Sequence, residues 1–295
     1  MTNRRLEFRA LHHAGRPLLL PNAWDHASAA ALAARGHRAI GTTSLGVAAA
    51  AGRPDGTGAT AAETLALARR LRRLPVLLSV DVEAGFSDDP AAVAEYVTEL
   101  AGLGVVGINL EDGRADGTLA DLVDVADKVA AVKAAVPDLF VNARIDTWWL
   151  GVDDPMPQTL ARARAYQAAG ADGIFVPGTV DLATLRVLTQ RIEAPLNALY
   201  QPAGPGLDDL GRAGVARVST GSLLFRAALA AAVAVADGAR AGGLAVPARP
   251  VVPAGLTVSA RPAVLDGPAV LDGLAVLDGL PSYAEVQGLA PAGGD

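Results

Sequence analysis

Three acids stand where apolar stretches of the chain end: Asp81 and Glu83 after LPVLLSV, and Glu111 after VVGINL. Two acids that close together at the end of a buried run raise each other's pKa and destabilise the fold, unless something positive sits between them. A hard cation meets that need. Mg²⁺ takes oxygen ligands in octahedral geometry and keeps water and substrate oxygens in its shell, so two or three carboxylates and no histidine suit it, with Mn²⁺ as a substitute. The competing assignment is helix-start acids and surface pairs, which Asp88 and Asp89, just before Pro90, fit more simply.

Arg144, emerging from LFVNARID, can grip a carboxylate or phosphonate with two parallel hydrogen bonds, or form a structural salt bridge with one of the acids. Thr43, Ser44 and Leu45, on the turn of GTTSLGV, can offer hydroxyls and backbone N–H groups to an anion, although Ser and Thr abound in turns. Trp148 and Trp149 either shape a pocket or pack. All 4 histidines fall early in the chain. His12 and His13 sit in a charged N-terminal helix and are expected to be solvated, whereas His26, directly after PNAWD, is a candidate acid or base. With 0 cysteines, thiol catalysis, disulfides and Cys-type zinc sites are excluded.

The elements that position these residues follow from the apolar pattern. Eight short runs, at 18–20, 39–43, 75–80, 105–110, 139–143, 173–176, 195–199 and 215–218, alternate with Ala-rich stretches at helical spacing, several ending near glycine. That alternation predicts a parallel sheet with crossover helices, and specifically an α/β fold of the (β/α)₈ TIM-type barrel class over residues 1–240. A doubly wound open sheet is the alternative. The polar residues favour the barrel, because they cluster where the runs end: Asn22, Trp24 and Asp25, then Thr43 and Ser44, Asp81 and Glu83, Glu111 and Asp112, Arg144 and Asp146, Ser219 and Thr220, with Asn197 inside the seventh run. In a closed barrel those ends converge on one mouth, where Trp24 is expected to touch a substrate.

The 295 residues suit one large domain plus a tail, since barrels of roughly 250 residues fold as one unit. Hydrophobic residues make up 51% and aromatics only 4%, so the core is expected to be built from Ala, Val and Leu. A net charge of −6, read as leaving no concentrated positive patch, points away from nucleic acid and toward small metabolites. The charged N-terminus lacks the apolar stretch of a secretory signal, and the Ala-rich run at 227–235 is too short to span a bilayer, so a cytoplasmic protein without membrane contact is expected. Residues 241–295 form an irregular tail rich in Gly and Pro, in which a six-residue unit recurs as AVLDGP, AVLDGL and AVLDGL. Its last part, 281–289, is expected to regain a helical turn or two.

Taken in order, LLLPNAWD, AIGTTSLGVAAAAGRPDG, LPVLLSVDVEAGF, VVGINLEDG, VNARIDTWW, AGADGIFVPG, PLNAL and VARVSTGS resemble the isocitrate lyase and phosphoenolpyruvate mutase superfamily, specifically its PNAWD-type members. The resemblance runs through residues 18–226. It implies Mg²⁺ held directly or through water by Asp81, Glu83 and Glu111, with Asp55 of GRPDG as the acid near metal and substrate. It further implies that the amides of Ser44 and Leu45 bind substrate oxygens, that Arg144 faces the substrate, and that Asn197 is a substrate-side polar group. Members commonly form dimers or tetramers, so a homo-oligomer is implied.

The departures bear on the reaction. Where lyases of this type carry a KKCGH-like loop, this chain reads EDGRADGTLADLV, without Cys, Lys or His, and the longer gating loop of the phosphonomutases is missing too. Gly178 stands where the lyases tend to have a glutamate. Asp112, Arg114, Asp116 and Asp146 are the residues available as substitutes. The expectation is a Mg²⁺-dependent lyase cleaving a C–C bond of a small 2-hydroxy or 2-oxo (di)carboxylate through an enolate, with Arg144, Asp55 and Glu111 as catalytic groups and Asp55 the nearest candidate base. P–C bond chemistry (phosphonomutase or phosphonopyruvate hydrolase), 2-oxo acid decarboxylation and a non-catalytic metabolite-binding barrel are the alternatives.

Overall fold

Apolar runs bounded by glycines and helix-start acids become nine parallel strands separated by helices in a computed structural model that describes residues 2–179, 181–240 and 282–287. In chain order the elements are α1 (Thr2–Leu11), β1 (Leu18–Leu20), β2 (Asn22–Ala23), α2 (His26–Ala34), β3 (Ala39–Thr42), α3 (Ser44–Ala50), α4 (Ala61–Leu71), β4 (Leu77–Asp81) and α5 (Pro90–Gly102). There follow β5 (Gly107–Glu111), α6 (Leu122–Ala135), β6 (Phe140–Arg144), α7 (Pro155–Ala168), β7 (Gly173–Phe175), α8 (Leu182–Arg191), β8 (Leu196–Leu199), α9 (Leu207–Arg212), β9 (Arg217–Ser219), α10 (Leu223–Arg240) and α11 (Tyr283–Gln287). Helix starts are marked as expected of short acids: Asp89, Asp121 and Asp181 accept from the first-turn amides of Ala91, Val123 and Thr184 at 2.9, 2.8 and 2.7 Å, and Asp25 forms a capping box with Ser28.

The strand order β1-β9-β8-β7-β6-β5-β4-β3-β2 closes the sheet on itself, which rules out the open doubly wound alternative. The strand count is nine where eight runs were expected, because the first run is broken at Pro21. Proline has no N–H to give a ladder, so β1 pairs with β9 while β2 pairs with β3. Asn22 bridges the break. Its Oδ1 accepts from the amides of Thr220 (2.9 Å) and Gly221 (3.0 Å), and its Nδ2 donates to the carbonyl of Thr42 (2.6 Å).

Two apolar clusters follow from this closure. One is the layer between strands and helices, built from Val, Leu, Ile and Ala, among them Val80, Val97, Leu110, Val129 and Ile174. The other fills the N-terminal end of the barrel, where Phe8 of α1 packs with Leu20, Ala39, Leu77, Val106 and Phe140. His12 belongs to this floor and is buried, contrary to its expected solvation: it stacks on Phe140 with ring centroids 4.1 Å apart, and its Nδ1 lies 2.9 Å from the Phe8 carbonyl. Burial, reinforced by the charge of Arg217, pushes its pKa down to about 3. A charged helical stretch does not show which turn will meet the barrel. His13 and His26 are exposed.

A second correction concerns charge. Arg69, Arg70, Arg72 and Arg73 gather round one shallow cleft at the C-terminal end of α4, so a local positive patch exists despite the net charge. Arg69 is paired with Glu99, and cations at that end are favoured by the helix dipole. Among the described residues no helix is long and apolar enough to cross a membrane. The repeated six-residue unit lies outside the described residues, while α11 stands within the stretch where helix was expected.

Candidate active site

The C-terminal ends of the strands surround a cavity of about 240 Å³. Parallel pairing places its charged residues. Asp81, Glu111 and Arg144 are the last residues of β4, β5 and β6, and Glu111 stands directly across the ladder from Arg144. The Arg144 guanidinium lies 2.6 Å from Glu111 Oε2 through Nη1 and 2.7 Å from Asp146 Oδ1 through Nε, and it rests over the rings of Trp149 (5.6 Å) and Phe175 (5.7 Å). Arg144 therefore makes the salt bridges that its alternative assignment required while also facing the cavity.

Thr43, Ser44, Leu45 and Asp55 complete the set of expected residues that line this space. Thr43 caps α3 in an extended conformation, so the first amides of that helix are presented at the mouth. The Ser44 amide is directed at the carboxylate of Asp81 and the Ser44 hydroxyl at that of Asp55. The Asp81 amide in turn donates to Thr42 Oγ1 at 2.9 Å.

Three expected residues stand elsewhere. Glu83 is almost wholly buried with φ of 49°, and its carboxylate turns away from the cavity to accept from the Gly58 amide (2.9 Å) and Thr60 Oγ1 (2.6 Å). It thereby holds the loop that carries Asp55. Trp24 packs behind α3 against Phe225, with ring centroids 5.4 Å apart. Asn197 is buried one pleat below Leu199 and hydrogen-bonded to Ser219 at 3.1 Å.

Four carboxylates, Asp55, Asp81, Glu111 and Asp146, share the cavity wall with Arg144 and the rim residue Arg114. Desolvation raises the pKa of Asp55, Asp81 and Glu111, most strongly for Glu111, and Arg144 opposes the rise in each. Burial likewise lifts Glu83 to about 7. Arg144 is held charged by Asp146, Glu111 and Asp81 against the cost of its own burial. An excess of desolvated negative charge with only oxygen donors fits a hard dication, for which Asp81 and Glu111 are the residues placed on the cavity. Among the described residues, no three acidic or histidine side chains already converge as a ready-made metal cluster.

Some contributors were not read as site residues from sequence. Asp112, offered above as a substitute acid, does not line the cavity. It is fully buried and accepts from the Asp146 amide (2.8 Å), the Tyr166 hydroxyl (2.8 Å) and Arg162 Nη1 (3.1 Å), so it fixes the turn that carries Asp146. Gly113 allows this, since a Cβ there would lie 2.4 Å from Asp146 Oδ2. Gly178, at φ of 91°, packs on the Trp148–Trp149 backbone, where a Cβ would come within 2.8 Å. No glutamate fits there. Tyr283 of α11 also lines the cavity, and only the apolar-acidic SYAEV pattern could have hinted at a docked helix.

A parallel barrel with acids and an arginine gathered at its C-terminal mouth defines the class of (β/α)₈ enzymes that act on small anions. The family model described as phosphoenolpyruvate phosphomutase matches residues 8–240, and the chain belongs to that family, within the isocitrate lyase and phosphoenolpyruvate mutase superfamily. An uncharacterised Mycobacterium tuberculosis protein is 48% identical over 237 residues, covering 79% of this chain and 90% of that one. The oxaloacetate decarboxylase of Ectopseudomonas mendocina is 34% identical over 174 residues, covering 55% and 57%. A solved Burkholderia cenocepacia structure, described as a candidate phosphonomutase, is 37% identical with a TM-score of 0.76, covering 79% of this chain and 99% of that one.

Proposed function

We propose that this enzyme is a Mg²⁺-dependent lyase that cleaves a C–C bond in a small 2-oxo or 2-hydroxy dicarboxylate, leaving a pyruvate-like enolate. The carrying observation is the cavity of about 240 Å³ with four carboxylates and Arg144 on its wall. Its volume suits a ligand of a few carbons. Arg144 and the Leu45 amide of α3 bind carboxylate oxygens, the Ser44 amide being turned to Asp81. Asp81 and Glu111 hold Mg²⁺, with Mn²⁺ as a substitute, and the ion when bound supplies stabilisation of developing enolate charge. Glu83 acts by holding the Asp55 loop.

Among C–C cleavages, decarboxylation of a 2-oxo acid has specific support. Cleaving a 2-hydroxy acid requires a base to take the hydroxyl proton, and among the described residues the cavity wall offers for this only carboxylates, Asp55 first, and no His, Cys or Lys. In decarboxylation the C3–carboxylate bond breaks without prior deprotonation, its electron pair passes to the 2-oxo oxygen, CO₂ leaves, and one proton returns to C3. Asp55, whose pKa burial raises, is the group proposed to carry that proton. The oxaloacetate decarboxylase likeness supports the same choice.

The test is turnover of 2-oxo and 2-hydroxy dicarboxylates and phosphonopyruvate, with Mg²⁺ and with chelator, following pyruvate, glyoxylate, CO₂ and phosphate separately. Asp81→Asn serves as the control for metal-catalysed background. Metal-dependent pyruvate with stoichiometric CO₂ is expected. Phosphate release would transfer the assignment to P–C chemistry, and ligand binding without any product would point to a non-catalytic barrel.

A further inference from the structure

We propose that Tyr283, carried on the C-terminal helix α11, is a residue of the active site: its hydroxyl positions the Asp55 carboxylate and its ring walls the cavity mouth. This rests on the reading of the cavity as the active site. The loop after β5 is a short hairpin closed by the bridge between Gly113 and Leu119, and its residues Gly113, Arg114, Ala115 and Gly117 line the cavity together with Tyr283. α11 packs on α3.

The local sequence is built for this docking. Ser282 and Glu285 form a reciprocal pair, the Ser282 amide donating to Glu285 Oε2 at 2.6 Å and the Glu285 amide to Ser282 Oγ at 3.2 Å, which fixes the helix start. Tyr283 and Val286, three residues apart, then share one face. Val286 is wholly buried, while Ala284 and Glu285 on the other face are exposed.

The Tyr283 hydroxyl donates to Asp55 Oδ2, and the ring meets Trp149 edge to face with centroids 5.6 Å apart. Burial and the nearby Asp55 charge push the phenol above its ordinary range, so it remains a donor throughout the neutral region. Asp55 is thus gripped from two sides. Glu83 holds its loop from within the barrel through Gly58 and Thr60, and Tyr283 holds its carboxylate from the tail. Removing the hydroxyl leaves the ring as a wall and takes away one of the holds on the carboxylate, the Ser44 hydroxyl and the Gly56 amide being others. Removing the helix opens the mouth as well.

The chain has 0 cysteines, so Val286→Cys introduces a single thiol whose labelling rate reports α11 seating with no ligand needed. In the full-length chain, labelling is expected to be about 100-fold slower or more than in urea, as for a site that opens only locally. Labelling as fast as in urea overturns the proposal. The second arm compares the full chain with Tyr283→Phe and with a chain ending at Leu280, by steady-state kinetics and by titration with oxalate and Mg²⁺, oxalate serving as a planar mimic of the enolate.

Tyr283→Phe is expected to lower kcat about tenfold, because the Asp55 carboxyl that carries the proton loses one of the groups that aim it, with KM within about twofold. The shortened chain is expected to lose kcat to the same degree and to bind oxalate more weakly as well. Both variants matching the full chain in kcat, KM and oxalate affinity, while Asp81→Asn is inactive, would overturn the role of Tyr283 and leave the site intact. A full-length chain silent on every substrate would remove the proposed reaction instead, and the thiol rate would still decide where Tyr283 sits.

Discussion

The two ends of the barrel are built from the same strands and solve opposite problems. At the floor, Phe8, Leu20, Phe140 and the neutral ring of His12 close the N-terminal end with apolar and aromatic contacts. At the mouth, the last residues of β4, β5 and β6 put two carboxylates and a guanidinium into a desolvated cavity. Like charges held together in a cleft cost stability, and a fold keeps them only where the charge is used. The floor adds to the stability that the layer between strands and helices provides, and the mouth is where the proposed chemistry draws on that stability.

The largest expected effect that sharpens this contrast is at the mouth. Asp81→Asn is expected to lower kcat/KM by roughly 10³-fold, comparable to losing a principal charge-stabilising group, while leaving urea stability unchanged or raised. A stability loss as large as that of a floor variant would break the comparison. The reciprocal change is Phe140→Ala, expected to cost about 3–5 kcal/mol in urea denaturation. Its activity per folded molecule should stay close to that of the parent.

The two ends also respond oppositely to pH. Glu83, raised from 4.5 to about 7, binds its proton more tightly in the folded state. Its contribution to stability is complete below pH 4.5 and is lost as pH rises through about 7. His12, lowered from 6.5 to about 3, contributes stability that is present above pH 6.5 and is lost as pH falls toward 3. Each group bends the stability curve by at most about 1.4 kcal/mol per pH unit within its window. In metal-free protein, Glu83→Gln should flatten the decline between pH 4.5 and 7, and His12→Asn the decline on the acid side. Finding either slope unchanged would remove that residue from the contrast. The smallest effect is expected for Trp24→Phe, which lies behind α3 rather than on the cavity. Its kcat/KM should change by less than about threefold, and a larger loss would return Trp24 to the substrate side.

Much of this arrangement was legible before the fold was seen, for a physical reason. Strand ends alternate with helix starts along the chain, and short acids serve helix starts whatever the tertiary context, so Asp89, just before Pro90, could be separated from Asp81 and Glu111 by position alone. The Pro21 break was written in the sequence too, yet its consequence depended on Asn22 reaching Thr220 and Gly221 across the closing seam. Spacing along the chain says nothing about which way a side chain turns at a left-handed backbone position. Hence Glu83 was grouped with Asp81, although its φ of 49° sends its carboxylate to Gly58 and Thr60.

By itself, the amino-acid sequence determined the parallel α/β barrel, the end of it that bears the acids, and the family, because burial period, turn chemistry and motif order are local properties. Only the tertiary structure decided that Arg144 pairs with Glu111 and Asp146, that Asp112 serves as a buttress, that His12 is sealed in the floor, and that Tyr283 reaches Asp55. Those are contacts between residues brought together by closure of the sheet and docking of the tail, and their partners are chosen by three-dimensional proximity rather than by chain position.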